Sequence, residues 1–133
     1  TKPAQVEYPL GWNVSSDGQW WYADTPHSRI VGRWAYINGR WYVFDQKGSM
    51  IKGWFKQGDD WYYMNSLDGA MLSGQWIDVD GMSFYLTKSG VMAINAYIKA
   101  DGKDLYYWVD SEGKYQKEYD TSKPDLKNYD LAE

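Results

Sequence analysis

The stretch GWFKQGDDWYYMNSLDGAM, residues 53–71, decides how the chain folds. It opens on Gly53-Trp54, turns at Gln57-Gly58-Asp59, runs on through Trp61-Tyr62-Tyr63 and closes on Gly69-Ala70-Met71. The same plan recurs on both sides of it, and repeats of this length define an architecture before any single element does. An aromatic opens a unit at Trp12, Trp34, Trp54, Trp76 and Tyr97, in steps of 22, 20, 22 and 21 residues. A glycine directly precedes two of these (Gly11, Gly53) and stands one residue further back from two more (Gly32, Gly74). Seven or eight residues after the opening Trp comes a second aromatic: Trp20, Trp41, Trp61 and Phe84. A Tyr follows it at Tyr42, Tyr62 and Tyr85, and Trp21 takes that place in the first unit. Gly-x-Met then closes the unit at residues 48–50, 69–71 and 90–92, with Gly113-Lys114-Tyr115 as a decayed fifth copy.

Turn residues separate the two aromatic stretches of each unit: Asp17-Gly18, Asn38-Gly39, Gly58-Asp59, Asp80-Gly81 and Asp101-Gly102. Asn-Gly and Asp-Gly between β-formers are strong hairpin signals, because both residues tolerate positive φ. Aromatic residues favour strands, and no stretch sustains helical periodicity. Each unit is therefore expected to be a β-hairpin followed by a loop. One hairpin alone is marginal in water, whereas hairpins in tandem cover one another. The expected fold is all-β, a solenoid of about five to six stacked hairpins. Residues 1–9, with Pro3 and Pro9, read as the end of a linker, 10–118 as the solenoid, and 119–133 as a cap or dimerisation segment.

Composition agrees and excludes other classes. Leu, Ile, Val and Phe number only 23 of 133 residues, low enough to suggest disorder. A net charge of only −4 and 22 Trp and Tyr residues argue the other way, for an aromatic core. No apolar run reaches the length of a membrane span, and Thr1 to Leu10 holds no apolar signal region. With no cysteine and His27 as the single histidine, no disulfide framework, zinc ribbon or multi-histidine metal site is expected, and no cofactor. His27 reads as an exposed loop residue. A pI near 4.9 argues against nucleic acid, which needs a basic face.

Side chains alternate faces along a strand. Adjacent aromatics such as Trp41-Tyr42 and Trp61-Tyr62 therefore point to opposite sides of their hairpin. If the opening and second Trp share one face, a cavity between units is walled by two Trp of one hairpin and a Tyr of the next. Three aromatic faces around a small cavity suit a quaternary ammonium ion, each wall contributing about 0.5–2 kcal/mol. A dissociation constant on the order of millimolar per site follows, strengthened by avidity on a polymer. Stacked aromatics that serve only as core are the competing expectation. Met50, Met71 and Met92 are either flexible packing in the loops or the floor of such cavities.

These residues carry a resemblance. Gly53-Trp54, Trp61-Tyr62-Tyr63 and Gly69-Ala70-Met71, with their counterparts over residues 10–117, resemble the choline-binding repeats of streptococcal and phage cell-wall lytic enzymes, endolysins and autolysins. The order of units resembles the C-terminal module of pneumococcal autolysin amidases. The resemblance implies a partner, the choline or phosphocholine of teichoic acids in a Gram-positive wall. It implies an extracellular, wall-associated place, reached by secretion or by release at phage lysis. It also implies cages of Trp12, Trp20 and Tyr42; of Trp34, Trp41 and Tyr62; and of Trp54, Trp61 and Tyr85; with Trp76, Phe84 and Tyr106 as a weaker fourth. A homodimer through the C-terminal hairpins, Tyr106 to Tyr129, is a further implication.

Catalysis is not expected from this chain. Asp59-Asp60 and Asp78 with Asp80 sit at turns, where turn chemistry explains them. No phosphate-binding Gly loop or Gly-x-Ser-x-Gly elbow occurs. The catalytic amidase or muramidase domain that the resemblance implies would precede Thr1. Two other functions compete with choline binding: a glucan-binding repeat module, and a purely structural or adhesive stalk.

Overall fold

A computed structural model describes residues 6–133. The expected linker end, residues 1–9, lies outside the described residues over 1–5. From residue 6 onward the chain is tied to the first hairpin: the Tyr8 N–H donates to Pro26 O at 2.7 Å, and the Tyr8 ring meets Trp21 at 5.4 Å.

Among the described residues the fold is all-β apart from one 3-10 turn, Lys117–Tyr119. β1 (Gly11–Val14) and β2 (Trp20–Thr25) form the first hairpin, extended by β3 (Ser28–Arg29). β4 (Trp34–Ile37) pairs with β5 (Arg40–Val43), β6 (Gly53–Gln57) with β7 (Asp60–Met64), and β8 (Gln75–Val79) with β9 (Met82–Leu86). β10 (Ala96–Lys99) lies between β11 (Tyr106–Val109), which is antiparallel to it, and β12 (Asp130–Leu131), which is parallel. The five expected hairpins are all present. Two turn exactly where Asn-Gly and Asp-Gly stand: Asn38 and Gly39 take φ of 50° and 85°, and Asp80 and Gly81 take 52° and 79°. Positive φ at both central residues matches the right-handed twist of the strands.

The chain forms two compact units, divided within the third hairpin. One holds the chain up to Gly53 together with Met64–Met71, and the other holds Trp54–Tyr63 and Leu72–Glu133. In the first, Ile30, Ala35, Ile37, Tyr42, Phe44, Met50 and Ala70 are buried, with Trp12 and Tyr22 packed on them. In the second, Phe84, Leu86 and Met92 form one cluster and Ala93, Ala96, Ile98 and Val109 another.

One buried position recurs in every hairpin: Ala23, Phe44, Met64, Leu86 and Val109, each at 2% exposure or less. It defines the true structural equivalence of the repeats, because it lies across from the residue before the opening aromatic. Ala23 pairs with Gly11, Leu86 with Gln75 and Val109 with Ala96, while the Phe44 N–H bonds Arg33 O.

The loops after the second, third and fifth hairpins are each organised by one side-chain acceptor, a signal the aromatic pattern does not carry. Asp45 Oδ1 accepts the N–H groups of Lys47 and Ser49, Asn65 Oδ1 that of Leu67, and Asp110 Oδ1 those of Glu112 and Lys114. These are Asx turns, in which the side chain stands in for a backbone carbonyl. The Gly of Gly-x-Met follows from sterics as well as φ. A Cβ on Gly113 would lie 2.6 Å from Met92 Sδ, and one on Gly69 would collide with Met50 Sδ. At these two places the Met of one repeat lies across the Gly of the next, whereas a Cβ on Gly48 would meet the Arg29 guanidinium.

Candidate functional site

Counting back from the buried column aligns the side chains that face the candidate cages. Three residues before it stand Trp20, Trp41, Trp61, Ser83 and Tyr106; two before it stand Trp21, Tyr42, Tyr62, Phe84 and Tyr107. Backbone hydrogen bonds confirm the first series. Trp20 O accepts the Met50 N–H at 2.7 Å, Trp41 O that of Met71 at 2.9 Å, Trp61 O that of Met92 at 2.8 Å, and Ser83 O that of Tyr115 at 2.9 Å. The Gly-x-Met loop of one repeat is therefore fastened behind the second Trp of the repeat before it. Tyr115 takes the Met place in the decayed copy.

In three hairpins the opening and second Trp stand nearly perpendicular. Trp12 and Trp20 are 6.4 Å apart at 76°, Trp34 and Trp41 6.5 Å at 78°, and Trp54 and Trp61 6.1 Å at 86°. A third ring from the following hairpin joins two of these pairs: Tyr42 lies 4.8 Å from Trp12, and Phe84 lies 5.0 Å from Trp54. In the first set the three residues are those expected. In the set at Trp54 the third ring is Phe84 rather than Tyr85. Tyr62, expected beside Trp34 and Trp41, belongs to β7 in the second unit and is half-buried.

Tyr85 is instead the cross-strand neighbour of Trp76, with ring centroids 5.3 Å apart. It belongs to a column of buttressing rings with Tyr22, Tyr63 and Trp108, each packed on the opening aromatic of its own hairpin. The physical cause is register. The two-residue turn Asp80-Gly81 sets Ser83, not Phe84, at the second-Trp place, and alternation then sends Phe84 to the other face. The expected grouping of Trp76, Phe84 and Tyr106 is corrected in the same way. Tyr106 pairs with Lys99 and bridges Thr121, while the rings gathered on Trp76 are Tyr107 at 5.7 Å and Tyr115 at 5.6 Å. Those three rings and Ser83 line a cavity of about 340 Å³. The Tyr115 O–H donates to the Asp120 carboxylate, and burial together with that carboxylate pushes the phenol up to about 12.

The indoles of the first series are exposed in a way that core rings are not. Trp20, Trp41 and Trp61 keep 40%, 44% and 38% of their surface in solvent, whereas Tyr42 and Phe84 are buried. A cavity of about 580 Å³ opens at Trp54, Trp61 and Phe84, with Met92 in its lining. Met50, by contrast, is buried in the core of the first unit, and Met71 is half-buried with its N–H on Trp41 O. In the first hairpin, Trp21 faces away from the Trp12–Trp20 pair. Tyr8 and the Arg29 guanidinium, 4.6 Å above its ring, cover it. His27 is exposed in the turn between β2 and β3. Among the described residues no cluster of His, Cys, Asp or Glu could hold a metal ion, and no helix is long and apolar enough to cross a membrane.

Two family models of the choline-binding repeat match, one over residues 31–76 and one over residues 70–115. No curated protein gives a match. Among solved structures, choline binding protein F from Streptococcus pneumoniae is 32% identical over 82% of the chain, with a TM-score of 0.68. This chain covers 34% of that protein, about a third of its length. The choline binding domain of Spr1274 from Streptococcus pneumoniae is 36% identical, with a TM-score of 0.55, over 66% of this chain and 96% of that domain. The multimodular pneumococcal cell wall endolysin from phage Cp-1, solved in complex with choline, matches 99% of the chain and 43% of its own, with a TM-score of 0.64. At 23% identity the endolysin shares the fold. Repeats of this kind are binding modules, and with the repeat models and the near-complete Spr1274 domain both aligned to it, the chain belongs to the choline-binding repeat family.

Proposed function

We propose that the chain is a non-catalytic anchoring module. It holds the choline of wall teichoic or lipoteichoic acids in aromatic cages and targets an attached peptidoglycan-lytic enzyme, an amidase or muramidase, to a Gram-positive wall. It acts outside the producing cell, by secretion or by release at phage lysis.

One observation carries this reading. At Trp12, Trp20 and Tyr42, and again at Trp54, Trp61 and Phe84, two perpendicular indoles and a third ring converge while the outer indole stays about two-fifths exposed. Trp41 repeats that exposure beside Trp34. A large apolar ring kept open at one register of successive hairpins marks a binding surface rather than a core. The negative faces of such rings attract a soft, weakly hydrated quaternary ammonium, at about 0.5–2 kcal/mol per wall. Binding on the order of millimolar per site is expected, and a polymer that engages several sites gains by avidity.

The test is a choline titration to tens of millimolar, followed by Trp fluorescence and melting temperature, in the wild type and in Trp61→Ala. Saturable change with a raised melt in choline, absent with ammonium chloride and diminished in Trp61→Ala, supports the cage. Flat curves in choline with a response to a glucan oligosaccharide would replace it with a sugar module. Silence to both would leave a stalk.

The homodimer is proposed at the C-terminal segment, where Tyr119, Leu126, Tyr129 and Leu131 are exposed even though Tyr129 packs 4.8 Å from Trp108 within the chain. Sedimentation equilibrium with and without choline tests it, and a single monomeric species in both would refute it.

A further inference from the structure

The position two residues after the opening aromatic faces the second-Trp place directly across the hairpin. Val14 stands opposite Trp20, Tyr36 opposite Trp41, Asp78 opposite Ser83 and Lys99 opposite Tyr106. In the third hairpin the two-residue turn Gly58-Asp59 sets Lys56 opposite Trp61. The chemistry of this rim position therefore changes from site to site, with Val14, Tyr36, Lys56, Asp78 and Lys99 in turn.

Lys56 is the informative one. Its ammonium lies 5.8 Å from the Trp61 ring centroid, and its side chain lines the cavity at Trp54, Trp61 and Phe84. Lys114 also lines that cavity but is neutralised by Glu112 at 2.9 Å. Lys56 has no carboxylate within ion-pair distance among the described residues. An unpaired cation at the lip of a cation cage disfavours a ligand that is only a cation, because like charges repel. It favours a ligand whose quaternary ammonium carries an anion on a short tether, since the anion then stands beside the lysine while the ammonium enters the rings. A two-carbon bridge, as in a phosphate ester of choline, places the anion outside the cage. Asp59 and Asp60, in the same lining, favour the ammonium end.

Resting on the cage reading above, we propose that Lys56 makes the Trp54–Trp61–Phe84 cage selective for choline phosphodiesters over free choline, unlike the Trp12–Trp20–Tyr42 cage, whose rim residue is Val14. The bound zwitterion would form an exposed charge-assisted contact. Such contacts are worth about a twofold to fivefold change in affinity, screened as salt rises.

The test uses the intact chain labelled with 5-fluorotryptophan. The fluorine signals of Trp61 and Trp20 are assigned by Trp61→Phe and Trp20→Phe. Choline and glycerophosphocholine are titrated against the wild type and Lys56→Met at low and high salt. Trp61 is expected to report about a twofold to fivefold preference for glycerophosphocholine relative to Trp20. In Lys56→Met the preference should vanish, with glycerophosphocholine weakened and choline tightened, and high salt should shrink it in the wild type. An unchanged preference in Lys56→Met overturns the proposal. So does equal tightening of both ligands, which would make Lys56 a built-in competitor for the Trp61 face. A Trp61 signal indifferent to both ligands in the folded chain would overturn the cage reading itself.

Discussion

Replacing Gly69 by Ala tests the contact that fastens successive repeats in the first unit. Gly69 has a φ of 75°, where an L side chain costs about 1–2 kcal/mol. Its new Cβ would also strike Met50 Sδ, and overpacking a tight contact of this kind costs about 1–3 kcal/mol more. Gly69→Ala should therefore lose about 2–5 kcal/mol. Gly39→Ala is the control. Its φ is 85°, but nothing lies within 4 Å of its Cβ, so only the conformational part, about 1–2 kcal/mol, applies. Met50→Ala removes the obstructing thioether. In that background Gly69→Ala should fall to the cost seen at Gly39, which leaves a coupling of about 1–3 kcal/mol between positions 50 and 69. Urea unfolding followed by Trp fluorescence measures the wild type and the four variants, and comparable m-values are needed for the midpoints to be read as stability. If Gly69→Ala is no worse than Gly39→Ala, or if its cost is unchanged by Met50→Ala, then Met50 does not lie over Gly69 and the account of Gly-x-Met is wrong.

Three further outcomes are expected. Phe84→Leu keeps the buried volume near Trp54 but removes a ring, so the choline response of Trp61 should weaken by about twofold to thirtyfold, whereas Tyr85→Leu should lower the melting temperature and leave that response in place; the reverse result would restore Tyr85 as the wall. Burial pushes the Asp110 carboxyl up, yet the hydrogen bonds from the Gln116 side chain and from the Lys114 and Glu112 N–H groups outweigh it and hold it below the ordinary range. Its stabilisation is therefore present above the unfolded value and lost as pH falls through the folded one, and acid unfolding curves of Asp110→Asn should be flatter over that window than those of the wild type. Tyr115 is pushed up from 10.0 to about 12, by burial first and Asp120 second. The fold thus loses stability as pH rises between those values, and a spectrophotometric titration at alkaline pH should show one late phenol that disappears in Tyr115→Phe.

Much of this was legible because it is local. Asn38-Gly39 and Asp80-Gly81 announce their turns through residues that tolerate positive φ, and both pairs adopt it. The opening aromatics sit on strands at the expected steps, and adjacent aromatics do face opposite sides. Aromatic matching alone sets Tyr85 opposite Trp54, because it gives Phe84 a place that turn geometry assigns to Ser83. The signal was available. Trp34 to Trp41 and Trp54 to Trp61 span seven residues around two-residue turns, and seven residues after Trp76 stands Ser83. The first hairpin reaches eight, from Trp12 to Trp20, because its turn is longer.

By itself the sequence determined the repeat, the hairpins, the turn positions and the identity of the paired indoles, since turn chemistry and strand alternation act over a few residues. Tertiary structure alone decided which ring of the following hairpin reaches Trp12 or Trp54, that the Gly-x-Met N–H is spent on the second Trp carbonyl of the preceding repeat, and that Lys56 stands unpaired at the mouth of a cage. The ring and backbone contacts join residues about thirty positions apart, and register and packing fix them through geometry that no local pattern encodes.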